Sequence, residues 1–465
     1  MAQGETRPPD AAREWNAYAV YTLGFLTLIS AFNYLDRGIF GLALPLIKRD
    51  IHASDTQLAL VSGLAFAVVY SLVGLPVASL ADRRSRRDLI TIGFAFWSVM
   101  TGVTALISSI GQLAAARLFL GAGEACGIAP SNSMVSDLFR ESRRPLALGI
   151  FGIASSISSF LFYPVIGWIG QRHGWRAMFS ACALPGLALA ILFRLTVREP
   201  ARGAAEGNSH SLDAHSLRES VRFLVGSRSY LLMLAGAMFM GASVYAASTW
   251  HATFLWRVHH LRIGQVASSI GRIQGVFGAT GILLGGILTD ALGRRDARWR
   301  LRLPALACLL AAPAEALFLL GNTRLLWTAG LALTSLFTLL HQAPIFAAAM
   351  SVARVRMRAV AIALLVLASG LLGQVVGPFL VGFLNDRLAA SLGSGAVRYS
   401  LPGRRLRRAG RGCLLGRSAN LRCRPRARIA RRVGVTTEEA SGPRSLAPCH
   451  PGASTCEMPL APAWR

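Results

Sequence analysis

The sequence predicts an all-α polytopic membrane protein built as two pseudo-symmetric helix bundles, and three observations carry that reading. Of its 465 residues 53% are hydrophobic and only 15% charged, too apolar for a soluble protein with a wet surface. Apolar runs of roughly 20 residues, enough to cross about 30 Å of hydrocarbon, recur from about Tyr18 to about Leu388. A loop sequence of the first half returns in the second.

Residues 1–16 are polar, with charges of both signs. They lack a short apolar core followed by a small-residue cleavage site, so no cleaved secretory signal is expected and the first span itself directs insertion. The spans fall at about 17–47, 57–81, 88–109, 112–139, 145–170 and 176–196, then 229–257, 265–291, 301–321, 324–353 and 358–388. The longest interior gap contains REPARGAAEGNSHS. The chain therefore divides into a six-helix bundle at 17–196, a polar cytoplasmic linker at 197–228, a second bundle at 229–400 with five recognisable spans, and a tail at 401–465.

Orientation follows from the arginines. Arg83, Arg84, Arg86 and Arg87 lie between spans 2 and 3, Arg140, Arg143 and Arg144 between 4 and 5, Arg294, Arg295, Arg298, Arg300 and Arg302 between 8 and 9, and Arg354, Arg356 and Arg358 between 10 and 11. All four loops fall on one side, which the positive-inside rule makes the cytoplasm, and the N-terminus shares it. Cys126, Cys182 and Cys308 lie in apolar spans and the other four cysteines in the tail, without a CxxC pair; no disulfide framework or zinc site is expected.

The repeated loop reads ASLADRRSRR at 78–87 and GILTDALGRR at 286–295. Asp82 aligns with Asp290, and Arg86 and Arg87 with Arg294 and Arg295. Each Asp ends a helix before a turn and a basic pair, where it can bridge neighbouring helix ends and be released when they part. A positive-inside flank would also produce one such loop; two at corresponding places favour the switch.

These repeats resemble the Gly-x-Leu-Ala-Asp-Arg-x-Gly-Arg-Arg loop of the major facilitator superfamily. The second copy keeps both glycines as Gly286 and Gly293, whereas the first has Ala78 and Ser85. NYLDRGIFGLALPLI at 33–47, RLFLGAGEACGIAP at 117–130 and TFLWRVHHL at 253–261 are similar to the spinster-like branch, and the resemblance runs from about residue 17 to about 400. It implies two six-helix bundles around a cavity that opens alternately to either side, and secondary transport of an organic anion or a lipid-like amphiphile. Span 5 keeps only Pro164 and Gly167 of the superfamily's antiporter pattern, so antiport is not inferred.

Charges near the middle of a span cost at least about 2.5–3.5 kcal/mol each on insertion scales, so they are expected to be paired and to face a cavity. Asp36 and Arg37 lie there in span 1. Arg117, Gly121 and Glu124 follow one face of span 4 at i, i+4 and i+7. A carboxylate beside an arginine can hold a proton in a dry cavity and release it when water or substrate arrives, which couples solute to protons. The alternative is a permanent ion pair that fixes spans 1 and 4; the resemblance, in which such charges serve transport, favours coupling.

Asn33, one turn before Arg37, lines the cavity or packs helices. In the second half Glu315 reads as packing or a lipid-edge carboxylate, while His341 and Gln342 are cavity candidates. Trp250, His251 and Trp256 read equally as an outer gate or an interfacial aromatic belt. No HExxH, GxSxG or Walker pattern occurs, so protease, lipase and ATP-driven pump have no support and no enzymatic activity is expected.

Residues 401–432 hold twelve arginines and no acid, where a twelfth span belongs. No such segment crosses lipid as a helix. We read it as an out-of-frame product that begins just after Leu401, against the alternative of a genuine basic tail for anionic lipid or nucleic acid. The net charge of +27 is therefore not taken as a nucleic-acid signature. The expectation is a monomeric, proton-gradient-driven transporter in a bacterial inner membrane, without cofactor, metal or nucleic-acid partner. A non-transporting sensor or scaffold, or an inactive truncated transporter, stays open beside it.

Overall fold

A computed structural model describes residues 16–392 except 82, 141–142, 201–216, 297 and 354–356. The N-terminal segment 1–15, Asp82, most of the linker and the whole tail, with its proposed frame change, lie outside the described residues. So do Arg354 and Arg356.

Every regular element among the described residues is helical. Helix α1 (Ala17–Ile51) starts where the Asn16 side chain accepts the Tyr18 N–H at 3.1 Å and stops at His52 in the left-handed region. At about 1.5 Å per residue it is longer than the hydrocarbon layer is thick, so its ends reach past it. The second span is α2 (Asp55–Leu60), a π-helical turn (Val61–Ala65) and α3 (Phe66–Ala81), opened by a capping box of Ser54 and Gln57. Helix α4 (Arg86–Thr104) is capped by Ser85, and α5 (Ile110–Glu124) by Ser109. After a break at Ala125–Gly127, α6 (Ile128–Leu138) completes the fourth span.

Then come α7 (Arg144–Gly152), α8 (Ala154–Ile157), a π turn (Ser158–Phe162) and α9 (Tyr163–Thr196). Gly174, at φ 81°, breaks α9 between the fifth and sixth spans, a conformation that costs glycine little. In the second half, α10 (Leu217–Gly226) precedes α11 (Arg228–Val258), α12 (Ile263–Gly293), α13 (Trp299–Leu320), α14 (Arg324–Leu340), α15 (Gln342–Val352), α16 (Arg358–Leu367), a π turn (Ala368–Leu372) and α17 (Gly373–Leu392). The expected linker is thus helical over 217–226: Leu224 is fully buried against α11 and α16, while Phe223 and Val225 stay exposed.

Among the described residues eight helical stretches are long and apolar enough to cross a membrane. One of them, Leu146–Thr196, contains the Gly174 break. Large apolar side chains point outward along these stretches, for example Leu72, Leu195, Leu232, Phe239 and Leu325. An outward girdle of that kind belongs against lipid.

The two halves echo each other in their irregularities. The fourth and tenth spans break mid-length, at Ala125–Gly127 and at His341, and the fifth and eleventh each carry a π turn. Irregular backbone at membrane depth is tolerated where it lines a cavity or is buried in protein.

Packing differs at the two faces. On the face away from the arginine loops one apolar core crosses between the halves, joining Leu42, Ile47 and Trp175 to Trp250, Phe254 and Phe318. On the arginine face the clusters stay within one half: Phe94, Trp97 and Phe193 in the first, Tyr230, Met233 and Met357 in the second. The halves are therefore closed on one face and separate on the other.

Candidate functional site

Helix α1 carries Asn33, Asp36 and Arg37 through its buried middle. Adjacent residues on a helix point about 100° apart, and Asp36 and Arg37 diverge accordingly. Asp36 is buried towards Trp97 and Thr101 of α4. Arg37 turns to α5, where its Nε–H donates to Glu124 Oε2 at 2.7 Å. Its guanidinium lies beside the rings of Phe66 and Tyr70, 4.8 and 4.9 Å from their centroids. Glu124 is the last residue of α5, and its carbonyl accepts the Gly127 N–H across the break.

Arg117 shares the buried face of α5 with Glu124 but pairs with rings: its guanidinium lies 4.5 Å from the Phe40 centroid and 5.5 Å from that of Phe66. This geometry is a cation–π arrangement. The expected pairing of carboxylates with arginines thus resolves into one ion pair, Arg37–Glu124, that joins spans 1 and 4.

The cluster holds much unused hydrogen-bonding capacity. Arg37 Nη2, Arg117 Nε and Nη1, Glu124 Oε1, Asp36 Oδ1 and both Asn33 amide atoms are buried and make no hydrogen bond to the protein. Buried polar atoms are almost always satisfied, because leaving one unpaired costs roughly 1–3 kcal/mol. Five side chains of the first half with open valences describe a place for a polar guest or water.

Aromatic residues that the sequence reading did not single out surround Arg37. Phe66 and Tyr70 stand one turn apart in the second span and stack at 5.5 Å, a spacing legible only once Arg37 is known to face them. Tyr245 of α11 approaches Arg37 from the other half.

A second cluster closes the opposite face. Asp55, fully buried at the start of α2, receives Arg257 of α11 through both carboxylate oxygens at 2.7 and 2.9 Å. Lys48 of α1 lies 2.5 Å away, and Asn385 of α17 donates at 3.3 Å. Asp386 accepts the backbone N–H groups of Asp55 and Thr56 and the Thr56 hydroxyl. Four spans, two from each half, meet here. The available signal was Lys48 and Arg257 at span ends on the face that positive-inside bias leaves poor in cations.

Trp250 and His251, expected as a gate or an aromatic belt, are both buried. The Trp250 indole N–H donates to the Pro378 carbonyl of α17 at 3.1 Å. His251 Nε2 lies 2.8 Å from Glu315 Oε1 of α13, and its ring rests on Phe318. The belt reading is corrected, since belt residues face the headgroups, and Glu315 has a polar partner. His341 Nδ1 contacts the Thr338 carbonyl at the α14–α15 break.

The two loop copies behave differently. Arg86, 2% exposed, holds Asp137 at 2.5 Å, Glu199 at 2.8 Å, the Ser133 hydroxyl and the Pro200 carbonyl. Arg87 donates its backbone N–H to Glu199, and its side chain meets Asp88; Arg83 is exposed. The bridge in this half therefore runs through Arg86. In the other copy Asp290 is exposed and makes no ion pair among the described residues. Asp290, Gly293 and Arg294 instead line an open cavity, and Arg295 is exposed.

Residues 26–387 match the Major Facilitator Superfamily. An MFS-type efflux pump of Mycolicibacterium smegmatis is 30% identical over 393 residues, covering 84% of this chain and 88% of that protein. Protein spinster of Drosophila melanogaster is 26% identical over 382 residues, 80% of this chain and 63% of its own length. Among solved structures, a bacterial homologue of the human lysosomal transporter spinster, inward-facing and unoccupied, superposes with a TM-score of 0.71 at 26% identity, covering 80% of this chain and 84% of that one.

Proposed function

The chain belongs to the Major Facilitator Superfamily, a family of membrane transporters, and we propose that it moves a small organic anion or an anionic amphiphile by alternating access, coupled to protons. The observation that carries this reading is the set of half-buried Arg37 and buried Arg117 and Glu124, with buried open hydrogen-bonding atoms, beside Tyr245 of the other half. Two guanidiniums among aromatic rings suit a carboxylate or phosphate with an apolar body. Such a guest supplies acceptors to Arg37 Nη2 and to Arg117 Nε and Nη1, while a proton on Glu124 frees Arg37 for it.

The four-span contact at Asp55 acts in this reading as the outer closure, and the separate clusters on the arginine face as the open, cytoplasmic mouth. The likeness to an inward-facing spinster homologue supports that assignment. Positive-inside bias places the N-terminus in the cytoplasm.

Uptake of a panel of organic acids and lysolipids into proteoliposomes under an imposed pH gradient tests the reading. Gradient-driven accumulation of one class, reduced at least about tenfold by Arg117→Gln as expected for a lost charge-assisted contact, supports it. Flux indifferent to both the gradient and Arg117 overturns it.

A further inference from the structure

The loop repeat pairs Arg86 with Arg294, and the ends of the neighbouring helices set which residues correspond beside them. Helix α6 ends at Leu138 with Phe139 extended, and α15 ends at Val352 with Ala353 extended. Ser133 and Asp137, the partners of Arg86 on α6, therefore correspond to Ala347 and Ser351 on α15. The structure bears out that correspondence, because Ala347 and Ser351 line the cavity that Arg294 borders.

The first half thus presents a carboxylate to its arginine, and the second presents a methyl group and a hydroxyl. Arg294 and Arg300 make no ion pair among the described residues, and both border a cavity of about 500 Å³. The side chain of Arg300 lies over Gly293. Thr289 and Ser351 add hydroxyls to the walls, each already turned to its own helix, Thr289 to the Gly285 carbonyl at 2.6 Å and Ser351 to the Ala348 carbonyl at 2.7 Å. Asp290 is the single acid on the wall, one turn before Arg294. The surrounding segment 290–302 carries Arg294, Arg295, Arg298, Arg300 and Arg302 against Asp290 and Asp296, so the field there favours an anion.

We propose that this cavity, at the arginine-loop end of α12, α13 and α15, binds a phosphate-bearing anion that takes the place filled in the first half by the Asp137 carboxylate. Arg294 and Arg300 contact its oxygens, as guanidiniums do with phosphate, and the Ser351 hydroxyl turns from the Ala348 carbonyl to donate to them. The volume accommodates a phospholipid headgroup as well as a free phosphate. The site is separate from the Arg37–Glu124 cluster and does not depend on what the protein transports.

The test uses the full chain purified in a neutral detergent, with dioctanoyl phosphatidylglycerol, inorganic phosphate and dioctanoyl phosphatidylcholine as probes, binding read as a saturable rise in melting temperature and by direct titration. The expected result is saturable binding of an anionic probe but not of phosphatidylcholine. Response to phosphatidylglycerol alone identifies a lipid headgroup, and response to phosphate as well identifies a free anion. Two variants localise it. Arg294→Gln with Arg300→Gln removes the donors, and Ser351→Asp supplies the carboxylate that the first half already has. Ser351 is exposed, so the second variant folds as the parent does, which its unliganded melting curve verifies. Each variant weakens binding at least about tenfold, the scale of a lost charge-assisted hydrogen bond. Absence of saturable anion binding, or undiminished binding in either variant, overturns the proposal.

Discussion

Arg37 and Glu124 meet through one hydrogen bond of 2.7 Å and each keeps a second polar atom, Nη2 and Oε1, buried without a protein partner. A purely structural ion pair would use both ends of the fork. This pair holds spans 1 and 4 together and still has a free side, as a group that exchanges one partner for another requires.

Glu124→Gln keeps the shape of the side chain and an acceptor for Arg37 but abolishes its titration. We expect the variant to retain exchange of substrate across proteoliposomes at equal pH and to lose stimulation by a pH gradient. Gradient-stimulated uptake at the parent's level would remove Glu124 from the coupling.

Arg37→Gln leaves Glu124 as a buried charge without its counter-ion, and breaking such a pair costs about 3–5 kcal/mol. The single variant should melt well below the parent in detergent. Combining it with Glu124→Gln should recover most of that loss while uptake stays absent. Thermal unfolding followed by fluorescence-detected size exclusion measures both, and an additive loss in the double variant would contradict the pairing.

The outer cluster makes a separate prediction. Asp55→Asn withdraws the charge that Arg257 and Lys48 share, and a hydrogen bond to a charged group contributes about 1.5–3 kcal/mol. Since the contact exists only when this face is closed, losing it shifts the population towards opening here by roughly tenfold or more. A cysteine placed at Ala252, buried in the apolar core that joins the halves on this face, should then react faster with a membrane-impermeant maleimide. Unchanged labelling would mean that the apolar core alone keeps the face shut.

What could be read from the sequence follows what each kind of pattern encodes. The spans and the two-fold repeat were legible because hydrocarbon thickness and positive-inside bias act on composition alone. Arg37, Arg117 and Glu124 were legible as costly charges in apolar surroundings. Which of them pair was not: the i, i+7 spacing put Arg117 and Glu124 on one face, yet Glu124 bonds to Arg37 and Arg117 rests on Phe40 and Phe66. Spacing describes one helix, whereas the partner comes from another. Asp55, Arg257 and Asp386 escaped notice because polar residues at span ends ordinarily solvate helix ends. The π turns at Val61–Ala65, Ser158–Phe162 and Ala368–Leu372 left no composition signal at all.

Gly63 lies in the first of those π turns, where an added Cβ would press into the Gln374 carbonyl of α17. The second and eleventh spans approach this closely only because the position lacks a side chain. Gly63→Leu must push the two halves apart at that seam, and overpacking of this kind costs about 1–3 kcal/mol. The same strain is relieved when the seam opens, so the substitution should destabilise the closed outer face selectively. We expect a lower melting temperature together with faster maleimide labelling at Ala252→Cys, the response predicted for Asp55→Asn, reached by packing in place of charge. A lower melting temperature with unchanged labelling would show that the π turn yields locally and that the seam between Gly63 and Gln374 does not govern closure.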